Sequence, residues 1–291
     1  MNELELDETS VHLFLEGIRL KYGYDFREYS QASLQRRVAA LIRHFGMTDP
    51  LMVLSRMLQD PAFFRQVLPL LTITTTEMFR DPLFYLGLRE KVIPLLRTYP
   101  TINVWSAGCS TGEEVFSLAI LLKEEQLLER TTIYATDLNS RALKTAQDGI
   151  YPSDEVKTST KNYQEAGGKE SFSRYYTADY GLAKMDSSLL NNVVFSEHNL
   201  VTDQVFAECH LILCRNVLIY FNKELQEKVL TLFRSSLRYG GFICLGSKET
   251  MRFSKWQPSF DVVDEKWRIY RRNDRPADFR TDRESRMTNE G

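Results

Sequence analysis

The chain has 291 residues, enough for one large domain or for a medium domain with a small companion. Hydrophobic residues make up 43% and charged residues 26%, an ordinary globular balance, and the formal net charge of −2 gives no global attraction to nucleic acid or to anionic membrane. No apolar run reaches the ~18 residues that span a bilayer, and the acidic stretch 1–9 lacks a basic-then-apolar signal pattern, so the expected compartment is the cytoplasm.

Residues 8–70 read as helical throughout. Val11, Phe14, Leu15 and Ile18 recur at helical spacing, as do Leu34, Val38, Leu41 and Phe45, and the run after Pro50 and the stretch 63–71 add two more candidates. This predicts an all-helical module over residues 1–72. In its second helix Arg36 and Arg43 lie seven residues apart, opposite the apolar stripe, with Arg37 alongside and no acid between them. Spacing alone favours reading these arginines as a solvated face over a docking face.

Residues 73–98 read as a linker and the first helix of a second domain. Thr74, Thr75 and Thr76 are poor helix formers, so the segment 71–77 is expected to be strand-like or irregular. Asp81-Pro82 predicts a helix start, with the carboxylate as cap and proline in the first turn, and Pro94 should kink or end that helix.

From Thr101 strands and helices alternate over residues 99–272. Expected strands are 102–105, 132–136, 211–214, 242–245 and 266–270. Expected helices are 112–124, 140–147 and the run from the Asn222 cap to Leu237, which Gly240-Gly241 should terminate. Such alternation implies an α/β fold with an open, mainly parallel sheet. Residues 151–192 interrupt it with a Tyr-, Ser-, Lys- and Gly-rich stretch that reads as an inserted subdomain with a small antiparallel piece. The charged tail 273–291 is expected to be disordered.

The four cysteines form no CxxC pair and the four histidines show no zinc-ligand spacing, so no metal is expected. The strongest chemical signal is Val104-Trp-Ser-Ala-Gly-Cys-Ser-Thr-Gly-Glu-Glu114, a strand running through a glycine turn into a helix. Gly108 and Gly112 do not have the GxGxxG spacing of dinucleotide sites. Two acids at a helix start suit a ligand bearing an ammonium and a sulfonium better than a pyrophosphate. Asp137 stands where the next strand ends and can accept from both ribose hydroxyls of an adenosine, or can equally cap a helix. Arg215-Asn216 lies where a buried strand must end, facing the crevice or forming a plain loop.

Five separated segments then agree, in order, with one family: Thr74-Thr-Thr-Glu-Met-Phe-Arg-Asp81, Trp105-Ser-Ala-Gly-Cys-Ser-Thr-Gly-Glu-Glu114, Ala135-Thr-Asp137, Asn199-Leu200 and Cys214-Arg-Asn-Val-Leu-Ile-Tyr-Phe221. Over residues 10–271 the chain resembles the chemotaxis receptor methyltransferase (CheR) family of protein-glutamate O-methyltransferases. It departs from many members in having Thr74 in place of Asn, and Val115-Phe116 in place of Pro-Tyr. The resemblance implies a Rossmann-like sheet that binds S-adenosylmethionine, with S-adenosylhomocysteine as product, and a small helical domain that faces the receptor. It implies that Thr74, Thr76 and Arg80 contact the cofactor from the linker. Glu114 and Asp137 would hold its amino-acid or ribose end, and Asn199, Leu200, Arg215 and Asn216 would frame the adenosine. Arg80 and Tyr220 would lie nearest the methyl group. The implied partner is a chemoreceptor-like helical protein with acidic glutamates, docked through Arg36, Arg37 and Arg43. Two other readings stay open: a methyltransferase acting on a small molecule, and a non-catalytic module that binds S-adenosylmethionine or its product.

Overall fold

The computed structural model describes residues 6–26, 31–72 and 76–274. Four helices open the chain: α1 (Glu8–Tyr22), α2 (Gln31–His44), α3 (Pro50–Gln59) and α4 (Pro61–Leu71). Their starts are written locally. The carboxylates of Asp7, Asp49 and Asp60 each accept a backbone N–H of the first turn, and Pro50 and Pro61 occupy first-turn positions where a missing N–H costs nothing. Then follow α5 (Pro82–Lys91) and the short α6 (Ile93–Leu96), with Pro94 in the first turn of α6, just past the end of α5.

The second domain contains β1 (Ile102–Ala107), α7 (Glu113–Glu124), β2 (Thr131–Asp137) and α8 (Ser140–Asp148). An inserted lobe comes next: β3 (Ile150–Pro152), α9 (Ser153–Glu165), β4 (Tyr176–Asp179) and β5 (Leu182–Met185). Its strands form an antiparallel sheet of order β3-β5-β4. The chain then resumes with β6 (Val193–Glu197), β7 (Cys209–Cys214), α10 (Lys223–Ser236), β8 (Leu237–Leu245), β9 (Phe260–Asp264) and β10 (Ile269–Arg272).

The main sheet has the order β6-β2-β1-β7-β8-β10-β9. The first five strands are parallel, and β10 runs antiparallel to both β8 and β9. Side chains alternate between two cores, as a pleated strand requires. Val104, Leu211, Leu213 and Cys244 join the core with α5, α6 and α7, whereas Trp105, Ile212, Cys214 and Ile243 join the core with α10. That second core runs on without interruption into α1–α4 through Phe14, Val38 and Val67, so the helical module packs as a continuation of one sheet face.

Four expectations need correction. Asp81 does not cap α5: its backbone is left-handed (φ 57°) and its carboxylate accepts from Arg215 Nη2 at 2.7 Å, a charge-assisted bond that outcompetes a cap. α10 ends at Ser236, and Gly240-Gly241 lie inside β8, because Leu237 already pairs with Cys209 and the glycines accommodate an irregularity in that ladder. Residues 265–268 form the turn of the β9–β10 hairpin, so the strand begins at Ile269, three residues later than expected, with Arg268 left-handed at the turn (φ 53°). Asn273 and Asp274 belong to the folded body. The first donates its backbone N–H to the Ser259 carbonyl at 2.9 Å, and the second takes the Arg272 guanidinium at 2.7 Å and pairs with Arg234. The rest of the tail lies outside the described residues.

Candidate functional site

β1 pairs with β2 on one side and β7 on the other, so the strand order reverses across β1. In open α/β sheets the crevice forms at that switch, beyond the carboxyl ends of the strands. Here an open cavity occupies the position. Gly108, Cys109 and Ser110 after β1, Asp137 and Leu138 at the end of β2, His198, Asn199 and Leu200 after β6, and Arg215, Asn216 and Val217 after β7 all line it. Thr76 and Arg80 of the linker, Glu114 of α7 and Tyr220 complete the sequence-derived set in the same cavity. Thr74 lies outside the described residues.

Four residues around the cavity hold left-handed backbone without being glycine: Phe79 (φ 54°), Asp81 (φ 57°), Ser110 (φ 51°) and Asn216 (φ 60°). Each such residue costs about 1–3 kcal/mol and persists only where its surroundings fix it. The fixing contacts are present. The Phe79 N–H donates to Ser117 Oγ at 2.8 Å, the Ser110 N–H to Asp137 Oδ2 at 2.8 Å, and the Asn216 N–H to Glu249 Oε2 at 3.0 Å, while Arg215 holds Asp81. Two glycines matter for approach rather than for turning alone. A Cβ on Gly108 would sit 2.5 Å from Val217 Cγ2, and one on Gly112 2.6 Å from Ala146 Cβ, so neither turn could close with a larger residue.

Asp137 is not a helix cap; Asn139 caps α8, accepting from Arg141 and Ala142. The Asp137 carboxylate accepts the N–H groups of Ser110 and Asn139, one on each oxygen, which leaves a lone pair on each for hydroxyl donors. Burial pushes its carboxyl above the usual range, opposed by the Asn139 and Ser110 N–H groups. Glu114 accepts from Ser106 Oγ at 2.9 Å and lies 3.5 Å from Arg215 Nη1. The Arg215 guanidinium grips the stretch from Arg80 to Phe84: it bonds Asp81, donates to the Arg80 carbonyl at 3.1 Å, and stacks over Phe84 with 4.0 Å to the ring centroid. It therefore fixes the backbone from which the Arg80 side chain departs.

A nucleoside carrying an ammonium and a sulfonium fits what the cavity offers. Asp137 and Glu114 supply acceptors. Three buried polar atoms of the lining, His198 Nδ1, Arg215 Nε and Asn216 Oδ1, have no hydrogen-bond partner within the protein. Buried polar groups are ordinarily paired, and these three are orphans among residues that line one cavity. Among the described residues no cluster of His, Cys, Asp or Glu could hold a metal, and all four cysteines are buried free thiols.

Sequence reasoning missed three contributors. Glu249 is buried, and its carboxylate accepts the N–H groups of Gly246 (2.5 Å), Asn216 (3.0 Å), Val217 (2.8 Å) and Ile219 (3.2 Å). It shapes the loop that carries Asn216 and Tyr220. Tyr24 and Phe26, from the helical module, also line the cavity. A short backbone clip holds them there: the Asp25 N–H donates to the Tyr220 carbonyl at 2.8 Å, the Asn222 N–H to the Gly23 carbonyl at 3.2 Å, and Tyr24 bridges Phe221. Burial pushes the Tyr24 hydroxyl up to about 12. The one cue in the sequence is an aromatic pair, Tyr24 and Phe26, just past the Gly23 that ends α1.

The three docking candidates separate. Arg36 and Arg43 are exposed on α2, whereas Arg37 is half-buried and donates to the Thr72 carbonyl at 2.7 Å, tying α2 to the linker.

Residues 74–269 match the family described as CheR methyltransferase, SAM binding domain, and residues 10–72 match CheR methyltransferase, all-alpha domain. A protein of Pseudomonas putida named Cher3 is 52% identical over 266 residues, covering 91% of this chain and 97% of its own length. The chemotaxis protein methyltransferase of Listeria monocytogenes is 29% identical over 244 residues, 83% of this chain and 90% of its own. That of Salmonella typhimurium is 29% identical over 252 residues, 84% of this chain and 85% of its own.

Proposed function

The chain belongs to the CheR methyltransferase family, S-adenosylmethionine-dependent enzymes of the chemotaxis type, and from that premise we propose that it methylates glutamate side chains of a chemoreceptor-like helical protein. The observation that most supports this reading is that Arg80 and Tyr220 share one cavity with Asp137 and Asn216. Asp137 takes the ribose hydroxyls and Glu114 the amino-acid end, while Asn199, Leu200, Arg215 and Asn216 frame the base. Thr76 and Arg80 contact the cofactor from the linker.

Bound S-adenosylmethionine supplies a methyl carbon made electrophilic by its sulfonium. A glutamate carboxylate is already ionised at neutral pH, so no general base is required. Its oxygen forms the new bond to carbon as the bond to sulfur breaks, with the electron pair going to sulfur. The products are a neutral methyl ester and S-adenosylhomocysteine, and no proton moves. The work of the protein is alignment and exclusion of water, which can supply roughly 7–11 kcal/mol in favourable cases. Arg80 holds the acceptor carboxylate through paired hydrogen bonds, and Tyr220 orients the reacting groups. Arg36 and Arg43 present positive charge to an acidic helix.

The test is transfer of labelled methyl from S-adenosylmethionine into a receptor cytoplasmic fragment. Label should appear on protein, be released by base, and fall about 100-fold or more in Arg80→Ala. Base-stable label would overturn the glutamate acceptor, and near-normal turnover in Arg80→Ala would overturn the role of that arginine.

A further inference from the structure

The loop between β1 and α7 passes three times through left-handed backbone, at Gly108 (φ 76°), Ser110 (φ 51°) and Gly112 (φ 98°). Its first half is held by the neighbouring strand. The N–H groups of Gly108 and Cys109 donate to the Thr136 carbonyl at 2.8 and 2.9 Å, and that of Ser110 to the Asp137 carboxylate. Gly108, Cys109 and Ser110 are also the part of the loop that lines the cavity. The second half ends on the Thr111–Gly112 peptide. A peptide that precedes glycine is the easiest to turn over, because glycine accepts φ of either sign. The Gly112 N–H donates to the Cys109 carbonyl at 3.0 Å, a bond within the loop itself. The anchor from outside is Tyr151, whose hydroxyl donates to the Thr111 carbonyl at 2.7 Å.

Tyr151 belongs to the inserted lobe, in β3, and lies outside the set of described residues that line the cavity. Its own position is fixed from several sides. It pairs with Ala183 of β5. Gly149, left-handed at φ 60°, turns the chain out of α8, and its carbonyl accepts the Met185 N–H at 2.9 Å. The Tyr151 ring is buried edge-on against Phe116 of α7, with centroids 6.1 Å apart. A Cβ on Gly112 would stand only 3.1 Å from the hydroxyl. Burial, with the Glu113 carboxylate adding to it, pushes this hydroxyl far above its ordinary range, so it remains a donor. Building on the reading of this cavity as the cofactor site, we propose that Tyr151 is a positioning residue for the methyl donor: through its hydroxyl the inserted lobe holds the glycine loop in the shape that accepts the cofactor. Without that hydroxyl the Thr111–Gly112 peptide is shared between two orientations, and affinity falls with the fraction of loops in the competent one. Bound cofactor restores the loop, so the transfer step itself keeps its rate.

Tyr151→Phe in the full chain, which removes the hydroxyl and keeps the ring, tests this role. Calorimetric titration with S-adenosylhomocysteine should show Kd raised about fivefold to tenfold over wild type. In labelled-methyl transfer to a receptor fragment, KM for S-adenosylmethionine should rise by the same factor. The kcat at saturating cofactor and KM for the fragment should both stay within about twofold of wild type. A merely structural hydroxyl would lower the urea midpoint and leave these binding constants unmoved. Tyr151→Met, whose flexible side chain fills the same space, replaces the Phe variant if that one fails to fold. S-adenosylhomocysteine affinity within about twofold of wild type in a folded variant, or a fall in kcat at unchanged KM for S-adenosylmethionine, overturns the inference and leaves the cofactor site standing. A wild type that does not bind S-adenosylhomocysteine removes both.

Discussion

Glu249 makes no proposed contact with cofactor or acceptor, yet four backbone N–H groups converge on its carboxylate. Burial pushes this carboxyl upward, and those N–H groups pull the other way. Glu249→Gln puts an amide donor among donors, so at least one bond is lost and a buried group goes unmatched. The expected cost is about 1–3 kcal/mol in urea unfolding, together with weaker binding of S-adenosylhomocysteine as Asn216 leaves its left-handed conformation. An unchanged affinity in a destabilised variant would show that the loop needs no such clamp. Residues of this kind explain how far the site was legible. Asp137 and Asn216 follow the ends of readable strands, and Arg80 stands in a short contiguous motif that the family resemblance reads. Glu249 acts on a loop some thirty residues earlier, and Tyr24 reaches the cavity through backbone bonds to Tyr220, so neither leaves a local pattern to read.

At the scale of elements, the inserted lobe is bound to the sheet domain by a buried ionic cluster. Arg89 of α5 pairs with Glu124 and, at 2.6 Å, with Glu125, and Glu124 also accepts the hydroxyls of Tyr163 and Tyr175 from the lobe. The side chains of Arg89, Glu124 and Glu125 are 7%, 2% and 6% exposed, so none can be rehydrated cheaply. Arg89→Met should destabilise the fold by roughly 3–5 kcal/mol, because it strands buried carboxylates. A loss below about 1 kcal/mol in denaturant unfolding would mean that Arg97 and Lys169 suffice to neutralise the pair. The strands β1, β2, β7 and β8 were legible because apolar residues fill both faces of a buried parallel strand. The edge strand β6 was not, since Ser196 and Glu197 are exposed and only its pairing with β2 defines it. Ends of elements were least legible where a tertiary contact overrode local chemistry, as Arg215 does at Asp81.

At the scale of the molecule, the helical module packs on one face of the sheet and contributes Tyr24 and Phe26 to the wall of the cavity. The clip from Gly23 to Asp25 fastens it to the segment that carries Tyr220, and its core is continuous with one face of the sheet. Arg36 and Arg43 are exposed on α2, a helix that carries no acid. Charge reversal at both positions should raise KM for a receptor fragment about tenfold or more and increase its salt sensitivity. Affinity for S-adenosylhomocysteine should stay within about twofold of wild type. Unaltered methylation kinetics would remove α2 from the docking surface. Among the described residues no helix is long and apolar enough to cross a membrane.

On the proposed function, an adenosyl thioether settles where β1, β2, β6 and β7 end, with its sulfur turned toward Arg80. A crystal structure of the chain with S-adenosylhomocysteine measures this most directly. The expected density fills the cavity between Asp137 and Asn216, with the ribose on the Asp137 carboxylate and the thioether on the side of Arg80 and Tyr220. A cavity closed by its own side chains, or the nucleoside bound elsewhere on the molecule, would contradict the claim.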